Sequence, residues 1–131
     1  MKTSRLLITA AVTALLLTGC GSEGNGGPYR AALADGQPLT APAGGWTPGG
    51  SVTVVNPSDL RVTFTVTNTG SQTGTPTCTL NATDPSGHYS GWDSAALKKP
   101  LQPGKSRSGQ IDLAIDSDGA RHVTELTIDC T

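Results

Sequence analysis

Charge is sparse in this 131-residue chain: Lys and Arg together number 9, Asp and Glu 10, and Lys98-Lys99 is the only adjacent basic pair. A charge-poor, slightly acidic chain is a poor ligand for nucleic acid or for anionic headgroups, so no nucleic-acid partner is expected. Helix formers are scarce beyond the first twenty residues, where Gly, Thr, Ser, Pro and Val dominate, and that composition argues for β structure. The three cysteines include no CxxC pair, which removes the usual zinc and redox signatures. No cofactor is expected. Gly104-Lys105-Ser106 lacks the earlier glycine of a phosphate loop, that place being Lys99. The serine of Gly87–Gly91 (GHYSG) stands one place away from that of a nucleophile elbow. His88 and His122 stand at no spacing from Ser and Asp that suggests a triad, and an enzyme is not expected.

No long apolar run is present either. Leu6 to Leu17 is uncharged, but it is shorter than the roughly 20 residues that span a bilayer. Lys2 and Arg5 precede it and the small residues Thr18 and Gly19 follow it, the order of a secretory signal. Leu17-Thr18-Gly19-Cys20 resembles a bacterial lipobox. That resemblance implies cleavage before Cys20, a diacylglyceryl thioether on its sulfur, and a mature protein on the outer face of the cell membrane. Each buried CH₂ contributes about 0.8 kcal/mol, so two acyl chains anchor where one binds marginally. Residues 1–19 are therefore assigned to the signal. Losing Lys2 and Arg5 leaves seven basic against ten acidic side chains, net −3.

Residues 20–50 are rich in Gly and Pro with almost no hydrophobic period. They are expected to form a flexible tether, of roughly 30 Å root-mean-square span for a Gly-rich chain. The pattern changes at Ser51. In Asp59–Asn68, Leu60, Val62, Phe64 and Val66 share one face and Arg61, Thr63, Thr65 and Thr67 the other, the period of a half-buried strand. The same alternation places Cys78, Leu80 and Ala82 together, then Ile111, Leu113 and Ile115, then Leu126, Ile128 and Cys130. Ser51–Val55 and a less regular stretch at 88–97 complete about six or seven short strands, separated by turn signals. The expected fold over 51–131 is all-β, an antiparallel immunoglobulin-like sandwich. Asn68 is suited to end a strand by bonding its own backbone, and Pro103-Gly104 suits a type II turn.

A core this small rarely supplies more than ~3–5 kcal/mol, so a covalent staple is expected. With Cys20 committed to lipid, Cys78 and Cys130 remain as a pair in an oxidising compartment. A bond between them would close a loop of 130 − 78 = 52 residues, which contributes about 4 kcal/mol in the chain-entropy model.

The segments VTFTVTNTG, NATDPSGHYSG and LKKPLQPGKS resemble the FxLYD-type immunoglobulin-like domains of bacterial envelope lipoproteins, over roughly residues 52–115. The carriers are Thr67-Asn68-Thr69, Asp84-Pro85-Ser86-Gly87 and Leu101-Gln102-Pro103-Gly104. Thr83 departs from the family, which often has an aromatic there. The resemblance implies an extracytoplasmic β-sandwich with no catalytic residues to carry over.

Two candidate sites remain. Asp116, Asp118, Gly119 and Glu125 have the spacing of positions 3, 5, 6 and 12 of a calcium loop, but position 1 would be Ala114, which has no ligand oxygen. A β-turn rich in Asp and Gly is the expected reading, and no metal site is assigned. His88, Tyr89 and Trp92 crowd together in a chain otherwise poor in aromatics. One of Tyr89 and Trp92 is expected to fill the sandwich; the alternative is a recognition patch of all three on a strand edge. The function expected is structural or protein-interacting, with the membrane reached through the lipid and an envelope protein as partner. An accessory lipoprotein that binds a small ligand or ion is the second reading.

Overall fold

The computed structural model describes residues 27–131. Cys20 and the signal lie outside them. Seven strands run in the order β1 (Tyr29–Leu33), β2 (Val52–Asn56), β3 (Asp59–Asn68), β4 (Thr77–Thr83), β5 (Ser90–Ala96), β6 (Ser106–Ala114) and β7 (Glu125–Cys130) among the described residues. Two 3-10 turns, Asp116–Asp118 and Ala120–His122, link β6 to β7. The strands form two antiparallel sheets packed as an all-β sandwich, as the alternation predicts.

β3 organises the first sheet. Its ten residues alternate between buried and half-buried. β6 pairs along one of its sides from Asp59 to Thr67. The other side is shared end to end, β2 taking Asp59–Val62 and β1 taking Phe64–Asn68. The second sheet has the order β5-β4-β7. Leu60, Val62, Phe64 and Val66 from β3 meet Cys78, Leu80 and Ala82 from β4 and Leu126 and Ile128 from β7 in the shared core. Phe64 supplies its bulk, and the sheet makes room with a glycine. Gly109 pairs with Phe64, and a Cβ there would come within 2.6 Å of the ring.

The tether expected over 20–50 is not what the described part of it forms. Tyr29, Ala31 and Leu33 are buried and their strand pairs with β3. The arm that follows crosses to the second sheet, where Ala41 N donates to Thr124 O at 2.7 Å and Leu126 N to Leu39 O at 2.8 Å. Trp46 packs against the core and its Nε1 donates to Val123 O at 2.9 Å. Asp35 and Ser51 close the arm reciprocally: Ser51 N donates to Asp35 Oδ2 at 2.9 Å, and Asp35 N donates to Ser51 Oγ at 2.8 Å. The folded unit thus includes Tyr29 and the arm, upstream of the expected boundary at Ser51. The physical reason is that a short alternating strand needs few apolar residues when an existing sheet edge supplies its backbone partners.

Turn chemistry behaves as the sequence suggests. Lys105 N donates to Gln102 O at 3.0 Å across Pro103-Gly104, and Gly104 has φ +79°, which the third residue of a type II turn requires. Asn68 does more than end its strand. Fully buried, it donates from Nδ2 to Gln72 O and Leu101 O, both at 2.8 Å, and accepts at Oδ1 from Gly70 N at 2.9 Å. Every polar atom of its side chain is used, the condition for a buried amide to be tolerated.

Cys78 and Cys130 face each other across β4 and β7 with disulfide geometry, the sulfurs 2.08 Å apart and the Cα atoms 4.0 Å apart. Thr77 and Thr131 next to them exchange both backbone hydrogen bonds at 2.9 Å, so the cysteines occupy the close, non-hydrogen-bonded position of the ladder. The bridge joins two strands of one sheet, whereas the bridge of antibody domains spans two sheets.

Candidate functional site

The β4–β5 loop and the β6–β7 link meet at one end of the sandwich. Asp84 builds the loop: its carboxylate accepts from Ser86 Oγ at 2.6 Å and from Tyr89 N at 2.9 Å. These bonds, the Ser86 hydroxyl first, hold the Asp84 carboxyl down at about 2. Tyr89 is thereby aimed across the gap, where its ring stacks on His122 at 4.8 Å and 14° while His88 meets it edge-on at 4.8 Å and 88°. Gly119 lies against the Tyr89 ring, and a Cβ there would come within 2.2 Å of it. His122 is the ring partner that sequence reading did not assign, because nothing in linear spacing connects it to Tyr89.

Trp92 stands apart from this cluster. It is 67 % exposed, and of the two rings between which the sequence left the choice open, Tyr89 is the one packed against the interior. Strand parity explains the split. Leu80 and Ala82 face inward on β4 and pair with Asp93 and Gly91, so the even-numbered Trp92 points to the outer face. Gly91 has its own inward constraint, since a Cβ there would fall 2.1 Å from Ala114 O.

The rest of β5 is open. All of its residues except Gly91 are exposed. Asp84 N donates to Tyr89 O at 3.1 Å and Leu97 N to Pro76 O at 2.9 Å, which fixes the odd positions of β5 as those bonded to β4. The peptide groups of Trp92, Ser94 and Ala96 therefore point away from the sheet. Among the described residues the one bond to these outward donors is local, Ser94 N to Asp93 Oδ1 at 2.8 Å. The strand contains no Pro, no Lys and no bulge, and Asp93 is the one charge that guards this edge.

A second feature lies under the arm. Trp46, Pro48, Val52, Val54, Arg121 and Val123 are among the residues lining a cleft of about 450 Å³. Val54 and Val55 are, with Trp92, the exposed large hydrophobic residues of the described chain.

Among the described residues no Ser, His and Asp side chains meet as a triad. Ser90 Oγ lies 3.4 Å from Asp116 Oδ2, the imidazole rings of both histidines lie against Tyr89, and the bond from His88 to a serine is made by its backbone N–H, to Ser86 Oγ at 3.2 Å. Asp116 and Asp118 sit in a tight turn with Ser117 and Asp118 at φ +54° and +57°. No group of three or more His, Cys, Asp or Glu able to hold a metal occurs among the described residues. Compared with known proteins, the chain matches no family model and no curated protein.

Proposed function

We propose that this chain is a lipid-anchored extracytoplasmic β-sandwich module of the FxLYD-like kind, working by protein contact rather than by catalysis. The observation that carries the reading is the bare outer edge of β5 with Trp92 beside it. A large exposed aromatic on a rigid strand costs little entropy to dock and offers a wide contact area. The signal, the lipobox and Cys20 supply the anchoring half of the proposal. Photo-crosslinking from position 94 in intact cells tests the contact. Discrete protein adducts are expected, and they should weaken with Trp92→Ala. Equal recovery from an exposed control position on β6 would sink the reading. Mass spectrometry of the N-terminal peptide tests the anchor, with a diacylated Cys20 expected.

The cleft beside Trp46 favours a second reading, an accessory lipoprotein that takes a small ligand. Its mixture of apolar walls and one arginine suits an apolar body carrying an anionic group. A ligand panel scored by melting temperature tests it. No shift with any anionic aromatic compound would remove it.

A further inference from the structure

We infer that β5 pairs antiparallel with β5 of a second copy of this chain, so that two sandwiches share one continuous six-stranded sheet. The inference rests on reading the chain as a contact module and names the partner and the surface.

The backbone pattern comes first. Outward N–H and C=O groups recur at Trp92, Ser94 and Ala96, the two-residue spacing that a neighbouring strand requires. Such a row is a template for another strand unless something blunts it. The chain does blunt the opposite edge of the same sheet, where the arm at Leu39–Ala41 bonds β7. At β5 the local guard is the Asp93 carboxylate on Ser94 N–H, and an incoming carbonyl can take its place.

Charge then selects the occupant. Strand β5 carries one charge, Asp93, and ends one residue before the bend that holds Lys98 and Lys99. In a twofold pairing centred on Ala95, Trp92 comes opposite Lys98 of the second copy, in reach of a cation–π contact. Asp93 comes diagonal to Lys99 of the second copy, and both contacts occur twice by symmetry. At the centre Ala95 faces Ala95, small enough for close approach. By contrast, a register centred on Asp93 would set two carboxylates face to face at the closest spacing of the ladder, and is disfavoured. One strand pair buries little area, so the association is reversible and of the weak, transient class. Copies confined to one membrane surface would favour it by raising the local concentration.

The test is sedimentation equilibrium of the full chain in mild detergent, with Cys20→Ser to remove a stray thiol. Over about 10–500 µM, the range of a transient interface, the weight-average mass should climb from monomer toward dimer. Ser94→Pro should hold it at monomer. The proline removes an outward N–H and leaves the bonds to β4 in place, so the variant stays folded, which an unchanged melting temperature verifies. Lys98→Glu should raise the dissociation constant at least several-fold. A monomer throughout, or a dimer that survives Ser94→Pro, overturns the inference. Protein adducts from intact cells alongside a monomer in solution would leave the contact reading standing and refute self-pairing alone.

Discussion

β7 and β5 flank the same central strand, yet they are finished in opposite ways. β7 is joined to β4 by the Cys78–Cys130 pair and covered on its far side by the arm at Leu39–Ala41. Among the described residues β5 has neither a covalent tie nor a covering strand, and it exposes a tryptophan. A sheet of three strands has few residues with which to protect its two edges, and here the protection is concentrated on one of them. The edge left bare is the one where a partner can bind without displacing any part of the fold.

The largest expected effect breaks the protected side. Replacing both Cys78 and Cys130 by Ala should cost about 2–5 kcal/mol, read from denaturant midpoints, because the unfolded chain regains the freedom of the closed loop. Thiol labelling of the untreated Cys20→Ser protein should find neither cysteine reactive without reductant. Two labelled thiols would show the pair to be open.

Next in size is a comparison of the two tryptophans. Trp46→Ala should cost about 1–3 kcal/mol, since its ring packs on the core and its Nε1 bonds Val123 O. Trp92→Ala should change stability by no more than about 0.5 kcal/mol. Fluorescence sharpens the contrast: acrylamide should quench the Trp46→Phe protein, which retains Trp92, more strongly than the Trp92→Phe protein. Equal costs, or the reverse order of quenching, would mean that the two edges are not finished as described.

Sequence reading put Trp46 in a linker and left open which of Tyr89 and Trp92 fills the core, and the reason is physical. Strands β3, β4, β6 and β7 were legible because each repeats apolar residues with period two and buries one face, as Leu60 to Val66 does. Cys78 and Cys130 were legible because parity put both on that face. β1 offers only Tyr29, Ala31 and Leu33 between Gly-rich flanks, so composition outweighed pattern, and Trp46 was read as part of a linker. β5 alternates nothing: Gly91, Asp93 and Ala95 occupy the inward positions, and an aromatic neighbour there resembles core in a linear reading. The stacking of Tyr89 on His122 depends on two loops meeting in space, which no spacing along the chain encodes.

The smallest effect concerns the carboxylates that hold each side. Asp84 fixes the turn into β5, and Asp35 locks the arm that covers β7 by accepting from Gln37 N and Ser51 N. Both pKa values are lowered, Asp84 chiefly by Ser86 and Asp35 chiefly by Gln37 N–H. A lowered carboxylate contributes stability that is present above its unfolded value near 3.8 and is lost as pH falls through the folded one. Stability should therefore decline between about pH 4 and pH 2, and Asp84→Asn should flatten that decline. Asp35→Asn should act at neutral pH on one side only. It should release the arm and speed amide exchange at Ala41 and Leu126, whose N–H groups the arm pairs with β7. The outward Trp92 amide should exchange fast in both proteins, because among the described residues no arm covers its side. Protection at Trp92 that rises with protein concentration, while Ala41 and Leu126 stay unchanged, is the pattern that pairing of two β5 edges requires.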